Sequence, residues 1–130
     1  MSVPLFLVQS LGAPRNHHAL FVRLDQATGA GDLFQVTGNI QTGMTYEWKK
    51  NIAAPETSDP SYISMSQLGW VANDLAEIDT ICRSNPAPEK QFEGPKRLDA
   101  QRPLRRCQEW TVETVRLLET GGILQQTKDD

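Results

Sequence analysis

The sequence predicts an α+β fold, with a small, mostly antiparallel sheet in the N-terminal half packed against two helices. Apolar or alternating segments separated by glycine-rich turns fill the first half of the chain, which is typical of hairpin-connected strands. Two segments with helical periodicity follow in the second half. The chain has 130 residues, 38% of them apolar, which is enough for one hydrophobic core, so residues 1–130 are predicted to form a single domain.

Four strands are predicted in the first half, at residues 5–8, 17–24, 33–37 and 44–49. The glycine-rich connection between the second and third strands favours a hairpin. Ala54–Ser61 is predicted to be a proline-containing loop, and residues 62–65 are compatible with a short further strand.

Two helices and a long connection are predicted in the second half. The first helix has Asn73 as a candidate N-cap and Pro86 as its stop. Residues 84–103 contain four prolines and little periodicity, so a long ordered loop is expected there. Pro103 suits the first position of the last helix, which is expected to run to about Thr120, before a frayed tail at residues 125–130. The apolar face of the first helix comprises Val71, Leu75, Ile78 and Cys82.

The composition argues against several classes of partner. The formal net charge of -3 gives no basic surface for nucleic acid and no polybasic face for a membrane. The apolar segment 4–8 is short and lacks a positively charged flank, so we interpret it as a strand rather than a signal peptide. No segment is long enough to span a membrane. The two cysteines are therefore expected to be free thiols of a cytoplasmic protein.

Cys107 is the first candidate for chemistry, because it lies near the start of the last predicted helix, behind Arg105 and Arg106. The positive end of the helix dipole and the two guanidinium groups favour the thiolate, which is the nucleophilic form. A thiol nucleophile needs a histidine as base and a third group that orients the histidine. The alternative is a buried, inert cysteine, since cysteine is among the most buried residue types. Cys82, on an apolar helix face, is interpreted as core.

The only two histidines, His17 and His18, open the second predicted strand. Neighbouring residues of a strand point to opposite faces, and His18 shares its face with Leu20 and Val22. One histidine could then serve as a base while the other is structural; alternatively, both merely begin an edge strand. Adjacent histidines of a strand cannot easily chelate one ion, and no nearby cysteine or carboxylate completes a ligand spacing. Neither a metal nor another cofactor is therefore predicted.

Two motifs carry a resemblance to a known family. Residues 17–22 read HHALFV, and residues 106–111 read RCQEWT, so a histidine strand precedes a cysteine helix. This order resembles the circularly permuted papain-like superfamily, which includes NlpC-type permuted members, lecithin-retinol acyltransferase-like proteins and PPPDE-type peptidases. The resemblance implies that His17 is the base, that Cys107 is the nucleophile, and that Gln35 on the next strand orients the imidazole. The whole chain is also similar to a group of small uncharacterised fungal proteins with the same HHALFV…RRCQEW arrangement.

These residues lead us to expect a cysteine-nucleophile hydrolase or acyltransferase that acts on an amide, ester or thioester bond. Its substrate would be a small molecule or a peptide. Two residues depart from the family pattern: Gln35 stands where the family has His, Asp or Asn, and Arg106 replaces the common Asn before the cysteine. These departures support an alternative, a non-catalytic binding or interaction module on the same fold. Neither hypothesis fixes the oligomeric state.

Overall fold

A five-stranded antiparallel sheet forms the body of the protein, as a computed structural model describes it for residues 1–128. Three helices accompany the sheet, and this α+β architecture confirms the predicted fold class. The spatial order of the strands is β4-β3-β2-β1-β5, so the first four form a meander and the fifth returns beside the first. The strands are β1 (Ser2–Ser10), β2 (His17–Arg23), β3 (Gly31–Asn39), β4 (Gly43–Ile52) and β5 (Tyr62–Ala72). The helices are α1 (Pro55–Ser58), α2 (Leu75–Ser84) and α3 (Cys107–Thr120).

The hydrophobic core lies between one face of the sheet and the helices α2 and α3. Strand residues two apart share a face, which places the fully buried Leu20 and Val22 of β2 on the helix side. Residues of the opposite face, such as Phe21 and Ala19, are buried as well. This double burial explains why β1 and β2 lack a clear polar face. The helix-side core contains Leu5, Leu20, Val22, Phe34, Val36, Ile78, Cys82, Trp110 and Leu118.

β5 is much longer than the short segment that the sequence indicated. It runs to Ala72, so Val71 is a strand residue that pairs with Val3, and the assignment of Val71 to a helix face was wrong. Gly69 interrupts the apolar pattern for a packing reason: a Cβ atom there would lie 2.4 Å from the backbone oxygen of Gln125. Gln125 forms an isolated antiparallel bridge with Trp70.

The predicted frayed tail at residues 125–130 falls only partly within the described chain. Gln125 is held by its bridge to β5, since its N–H donates to the Trp70 carbonyl at 2.9 Å and its own carbonyl accepts from Trp70 at 2.7 Å. Residues 129–130 lie outside the described residues. The ordered backbone pairing therefore extends one residue into the segment that was expected to fray.

α2 begins one residue later than expected. Asp74, rather than Asn73, is the N-cap, and its carboxylate accepts a hydrogen bond from the Glu77 N–H. The helix ends at Ser84, ahead of Pro86, as predicted.

α3 begins at Cys107 and not at Pro103, so the predicted helix start was wrong by four residues. Gln91 explains the delay. Its side-chain oxygen accepts from the Arg105 N–H at 2.8 Å, and its side-chain nitrogen donates to the Arg105 carbonyl at 2.7 Å. Both backbone groups of Arg105 are thus held by a side chain as a strand neighbour would hold them, and the chain stays non-helical until Arg106 caps the helix. The helix ends at Thr120, as predicted.

The connection between α2 and α3 crosses one end of the sheet. It contains a small hairpin of β6 (Phe92–Glu93) and β7 (Lys96–Arg97). Two backbone hydrogen bonds fasten it to the β3–β4 hairpin: the Met44 N–H donates to the Pro88 carbonyl, and the Gln91 N–H donates to the Ile40 carbonyl. This segment therefore brings the start of α3 to the end of the sheet at which β2 begins. The loop predicted at Ala54–Ser61 contains the single-turn helix α1.

Candidate active site

The structure brings Cys107 and His17 together. Cys107 is the first residue of α3, and His17 is the first residue of β2, on which α3 packs. The Cys107 thiol and the His17 ring line the same cleft and lie close enough for each to shift the pKa of the other. Both side chains are partly exposed, so the pair is accessible from solvent. Residues 90 positions apart in sequence are therefore in contact in the way that a thiol nucleophile and its base require.

Gln35 holds the other side of the imidazole ring. Its side-chain oxygen lies 2.7 Å from His17 Nε2. Gln35 stands on β3, the strand that pairs with β2, and it is 7% exposed. Because Nε2 is bound to Gln35, Nδ1 is the ring nitrogen left to interact with the thiol. The three residues expected from the sequence, Cys107, His17 and Gln35, thus form one continuous chain of side-chain contacts.

The interaction between His17 and Cys107 makes the ring more basic and the thiol more acidic. The hydrogen bond with Cys107 raises the pKa of His17 above its ordinary value, with a further contribution from Gln35, although burial opposes both. Burial raises the pKa of Cys107, but the hydrogen bonds from the His17 ring and the His18 backbone, with the charges of His17 and Arg15, outweigh burial and lower it overall. Both shifts favour the thiolate–imidazolium form.

His18 is placed differently from His17. Its backbone helps to lower the pKa of Cys107, whereas its ring Nδ1 is buried and finds no hydrogen-bond partner among residues 1–128. Burial, followed by the charge of His17, lowers the pKa of the His18 ring. The ring contact with the thiol therefore belongs to His17, which answers which of the two histidines faces the cysteine.

Arg15 and Glu109 form an ion pair beside the thiol that sequence analysis did not identify. The two terminal guanidinium nitrogens of Arg15 donate to the two carboxylate oxygens of Glu109 at 2.8 and 2.6 Å. Glu109 also accepts the Arg106 N–H at 2.6 Å, as the third helical residue does in a capping box. A third tie comes from Gln108, whose side chain donates to the Asn16 carbonyl at 3.0 Å. These bonds fasten the loop before β2 to the first turn of α3.

Neutralising Glu109 is expected to weaken the fold in a pH-dependent way. The hydrogen bond from Arg15 lowers the pKa of Glu109 to about 2. A carboxylate with a depressed pKa stabilises the native state above its unfolded pKa and loses that contribution as the pH falls through the folded pKa. Because about a third of the side chain is exposed, we expect Glu109→Gln to cost about 1 kcal/mol at pH 7.

Urea unfolding of the wild type and of Glu109→Gln between pH 7 and pH 2 measures this contribution. The difference in unfolding free energy should be full above pH 4.5, the ordinary pKa of the group, and should shrink towards pH 2. Glu119→Gln, near the exposed end of the same helix, is the matched control. A difference that stays constant with pH would show that the Glu109 carboxylate gains nothing from Arg15.

A cleft of about 490 Å³ opens at the Cys107–His17 pair. Its walls are the loop before β2, the turn between β3 and β4, and the segment that follows α1. Asp59 lines this cleft, and its charge contributes to the raised pKa of His17. The side chains or backbone of Asn16, Gln35, Thr37, Ile40, Met44 and Arg106 also line it. The cleft is therefore mixed in polarity and large enough for several substrate atoms beside the thiol.

A second, larger cleft of about 830 Å³ lies between the α2–α3 connection and the outer side of α3. Arg105 crosses it and is bound to Glu113 at 2.7 Å and to the Pro86 carbonyl at 2.8 Å. Neither cysteine nor either histidine lines this cleft. This larger cleft is therefore separate from the Cys107–His17 pair.

Cys82 is a core residue, which confirms its interpretation from the sequence. It is 0% exposed, and burial raises its pKa to about 12. Both cysteines are free thiols. The two thiols thus occupy opposite environments, one at a cleft beside an imidazole and one in the core.

The described residues 1–128 contain no group of three or more His, Cys, Asp or Glu side chains arranged to hold a metal ion. In the same part of the chain, no helix has the length and apolar character needed to cross a membrane.

The fold and the site define a class: an α+β domain whose cleft holds a thiol in contact with an imidazole. The chain belongs to a family of unknown function, DUF6540, whose family model matches residues 5–125. No curated protein matches the chain, and no solved structure matches it either. The matched range includes every residue of the site described above.

Proposed function

We propose that this protein is a cysteine-nucleophile hydrolase or acyltransferase that acts on an amide, ester or thioester bond. The observation that carries the proposal is the continuous contact of the Cys107 thiol with the His17 ring and of that ring with Gln35, at the wall of a cleft. A thiol, a base within reach and a third group that orients the base form the arrangement that is diagnostic of an activated thiol nucleophile. The lowered pKa of Cys107 and the raised pKa of His17 favour the same chemistry.

In the first half-reaction, His17 Nδ1 takes the thiol proton and the Cys107 sulfur attacks the substrate carbonyl carbon. A carbon–sulfur bond forms, and the carbonyl oxygen becomes an oxyanion. Backbone N–H groups at the start of α3 have no partner within the helix and would receive that oxyanion. The oxyanion then re-forms the carbonyl group, and the bond between the carbonyl carbon and the leaving nitrogen, oxygen or sulfur breaks. The imidazolium gives its proton to that leaving atom, and the acyl group remains on Cys107 as a thioester.

In the second half-reaction, water or an acceptor nucleophile attacks the thioester of Cys107. His17 takes the proton of the attacking group, the carbon–sulfur bond breaks, and the proton returns to the thiolate. Water as the attacking group gives hydrolysis, and an acceptor alcohol or amine gives acyl transfer. The open cleft beside the pair has room for either one.

The proposal includes kinship with the permuted papain-like superfamily. The support is the order of the elements, since the histidine opens β2, the orienting residue lies on β3, and the cysteine opens α3. The contact pattern agrees with that order, because an amide oxygen binds Nε2 of a ring that also interacts with the thiol. A substrate of this site would be a small molecule or a peptide.

The reactivity of Cys107 as a function of pH tests the proposed function. Iodoacetamide labelling followed by mass spectrometry would be carried out on the wild type, on His17→Ala and on His18→Ala. We expect the wild-type thiol to be labelled with a midpoint below the ordinary thiol pKa of about 8.5, because His17 stabilises the thiolate. His17→Ala should move the midpoint upward by about one unit or more.

His18→Ala is the matched control, because it removes a neighbouring ring but keeps the backbone that helps to lower the pKa of Cys107. It should change the midpoint much less than His17→Ala. A wild-type midpoint of an ordinary thiol, or equal profiles for the two histidine variants, would overturn the proposal. The non-catalytic binding module would then be the better hypothesis, and identifying a binding partner would come before any substrate screen.

A further inference from the structure

We infer that Glu47 is a positioning residue for the Cys107–His17 pair and that it acts through Gln35. This inference rests on the proposed function of that pair. The side-chain nitrogen of Gln35 donates to a carboxylate oxygen of Glu47 at 2.6 Å, while the side-chain oxygen of Gln35 lies 2.7 Å from His17 Nε2. The contacts therefore continue beyond the expected three residues, from the thiol through the ring and the amide to a carboxylate.

Three adjacent strands place these side chains in a row. Gln35 on β3 pairs directly with Glu47 on β4, so both side chains point to the same face of the sheet. The register between β2 and β3 puts Leu20 opposite Phe34. One step further along, Gln35 stands opposite Ala19, two residues from His17 and on the same face as His17. The row is therefore a consequence of strand register and needs no unusual backbone.

Glu47 determines which end of the Gln35 amide meets the histidine. An amide can accept through its oxygen or donate through its nitrogen, so His17 alone would permit either orientation. A carboxylate only accepts, so Glu47 binds the amide nitrogen and leaves the oxygen for His17. The oxygen in turn requires a proton on Nε2. Nδ1 is then free of a proton in the neutral ring and can take the proton of the Cys107 thiol.

The same arrangement supports the imidazolium that forms when Cys107 loses its proton. An uncharged amide holds a protonated ring less strongly than a carboxylate does, which is the weakness of Gln35 as an orienting residue. Glu47 places a negative charge one amide away from the ring, where it polarises the Gln35 carbonyl towards His17. Gln35 is nearly buried, so the competing hydrogen bonds of water are largely excluded from this chain of contacts.

Other charged groups face the pair from the neighbouring elements, and the test has to separate Glu47 from them. Cys107 lies on α3, Asp59 follows α1, and Arg15 and His18 flank His17. Asp59 acts on His17 through space, since its charge raises the pKa of the ring without a hydrogen bond to it. Glu47 differs from this group because it reaches the ring only through the Gln35 amide.

Three variants and a control test the inference by the pH profile of Cys107 alkylation. Glu47→Gln removes the charge but keeps a side chain that can accept or donate. Glu47→Lys introduces a donor-only group, which should attract the Gln35 oxygen and turn the amide nitrogen towards His17. The double variant Gln35→Glu/Glu47→Gln moves the carboxylate next to the ring and keeps both hydrogen bonds. The control Glu56→Gln removes a carboxylate bound to Arg23 at 2.6 Å, away from the cleft.

We expect Glu47→Gln to lower the alkylation rate at pH 6 by about threefold to tenfold, because part of the amide population can reverse. Glu47→Lys should lower the rate by about tenfold or more, since the reversed amide favours the wrong tautomer of His17. In the double variant the alkylation rate should return to within about threefold of the wild-type rate, because a carboxylate then holds Nε2–H directly. The control should stay within about twofold of the wild type.

The outcomes separate this inference from the proposed function. If Cys107 of the wild type is labelled with the pH profile of an ordinary thiol, both the proposed function and this inference are overturned. Suppose that labelling of Cys107 depends on His17 but that Glu47→Gln and Glu47→Lys are labelled at the wild-type rate. This result overturns the role of Glu47 alone. If both single variants at position 47 lower the alkylation rate and the double variant does not restore it, Glu47 only supports the folded strand. This result also overturns the inference.

Nitrogen-15 NMR of the His17 ring provides a second measurement that needs no variant. Above the pKa of the ring, the wild-type protein should show the tautomer with the proton on Nε2 and a bare Nδ1. A proton on Nδ1 would mean that the Gln35 amide points the other way, which contradicts the inference even if a variant at position 47 fails to fold.

Discussion

At pH 7, iodoacetamide is expected to modify Cys107 at least about a hundredfold faster than Cys82. Both are free thiols of the same chain, so the comparison needs no second sample. The expectation follows from opposite pKa shifts, since the pKa of Cys107 is lowered below its ordinary value whereas burial raises the pKa of Cys82 to about 12. Only the thiolate reacts appreciably with an alkylating reagent.

The magnitude follows from the thiolate populations. A pKa of about 12 leaves about one thiol in 100,000 ionised at pH 7, whereas an ordinary thiol is ionised to about 1–3%. The ionised fraction of an ordinary thiol is therefore roughly a thousand times that of Cys82 at pH 7. The more basic thiolate of Cys82 is intrinsically more nucleophilic, which reduces the ratio by about fifteenfold to thirtyfold. Complete burial of Cys82 restores the difference, because the reagent must wait for the core to open.

Mass spectrometry of the two cysteine-containing peptides, sampled during labelling, gives both rates. In urea, where the fold is lost, the two thiols should be modified at similar rates, which excludes a bias from local sequence. Comparable rates in the native protein would contradict the structure, because they require either an inactive Cys107 or frequent opening of the core around Cys82. The loss of selectivity on unfolding also makes Cys82 a reporter of global stability in every variant proposed above.

The elements that could be predicted are those determined by local patterns. Alternating and apolar segments located the first four strands, and the glycine pair at residues 121–122 located the end of α3. The two larger errors have non-local causes. β5 was underestimated because Gly69 is required by the approach of Gln125, a residue far along the chain. The start of α3 was misplaced because the side chain of Gln91 binds the backbone of Arg105.

The candidate site divides in the same way. His17, Gln35 and Cys107 could be named because each opens or occupies an element whose order along the chain resembles a known superfamily, and the structure places them in contact. Arg15 gave no signal, because its partner lies 94 residues away. Glu47 was predictable in principle. A hairpin that pairs residues 33–37 with residues 44–49 across the turn at 38–43 places Gln35 opposite Glu47, but only if the register is known.

Replacing Trp110 with alanine is expected to reduce the stability of the domain by about 3–5 kcal/mol. Trp110 is 0% exposed and joins three elements of the core. Its ring packs on the ring of Tyr46 in β4, with 5.8 Å between the ring centroids. Its indole N–H donates at 2.9 Å to the carbonyl of Asn85, the C-cap of α2. Truncation would leave a large cavity and an unpaired carbonyl. A small domain has only about 5–15 kcal/mol of stability in total, so a substantial unfolded population is expected on heating.

Trp110→Phe and Trp70→Ala separate the causes of this loss. Trp110→Phe keeps most of the ring volume but removes the N–H, so it should cost about 1–2 kcal/mol. Trp70→Ala removes an indole that is partly exposed, and it should cost less than Trp110→Ala. Urea unfolding followed by circular dichroism measures all three without depending on tryptophan fluorescence. Equal losses for Trp110→Ala and Trp70→Ala would show that Trp110 does not join the helices to the sheet. Because Trp110 lies one helical turn after Cys107, its truncation should also raise the pKa of the thiol by loosening the contact with His17 before the domain unfolds.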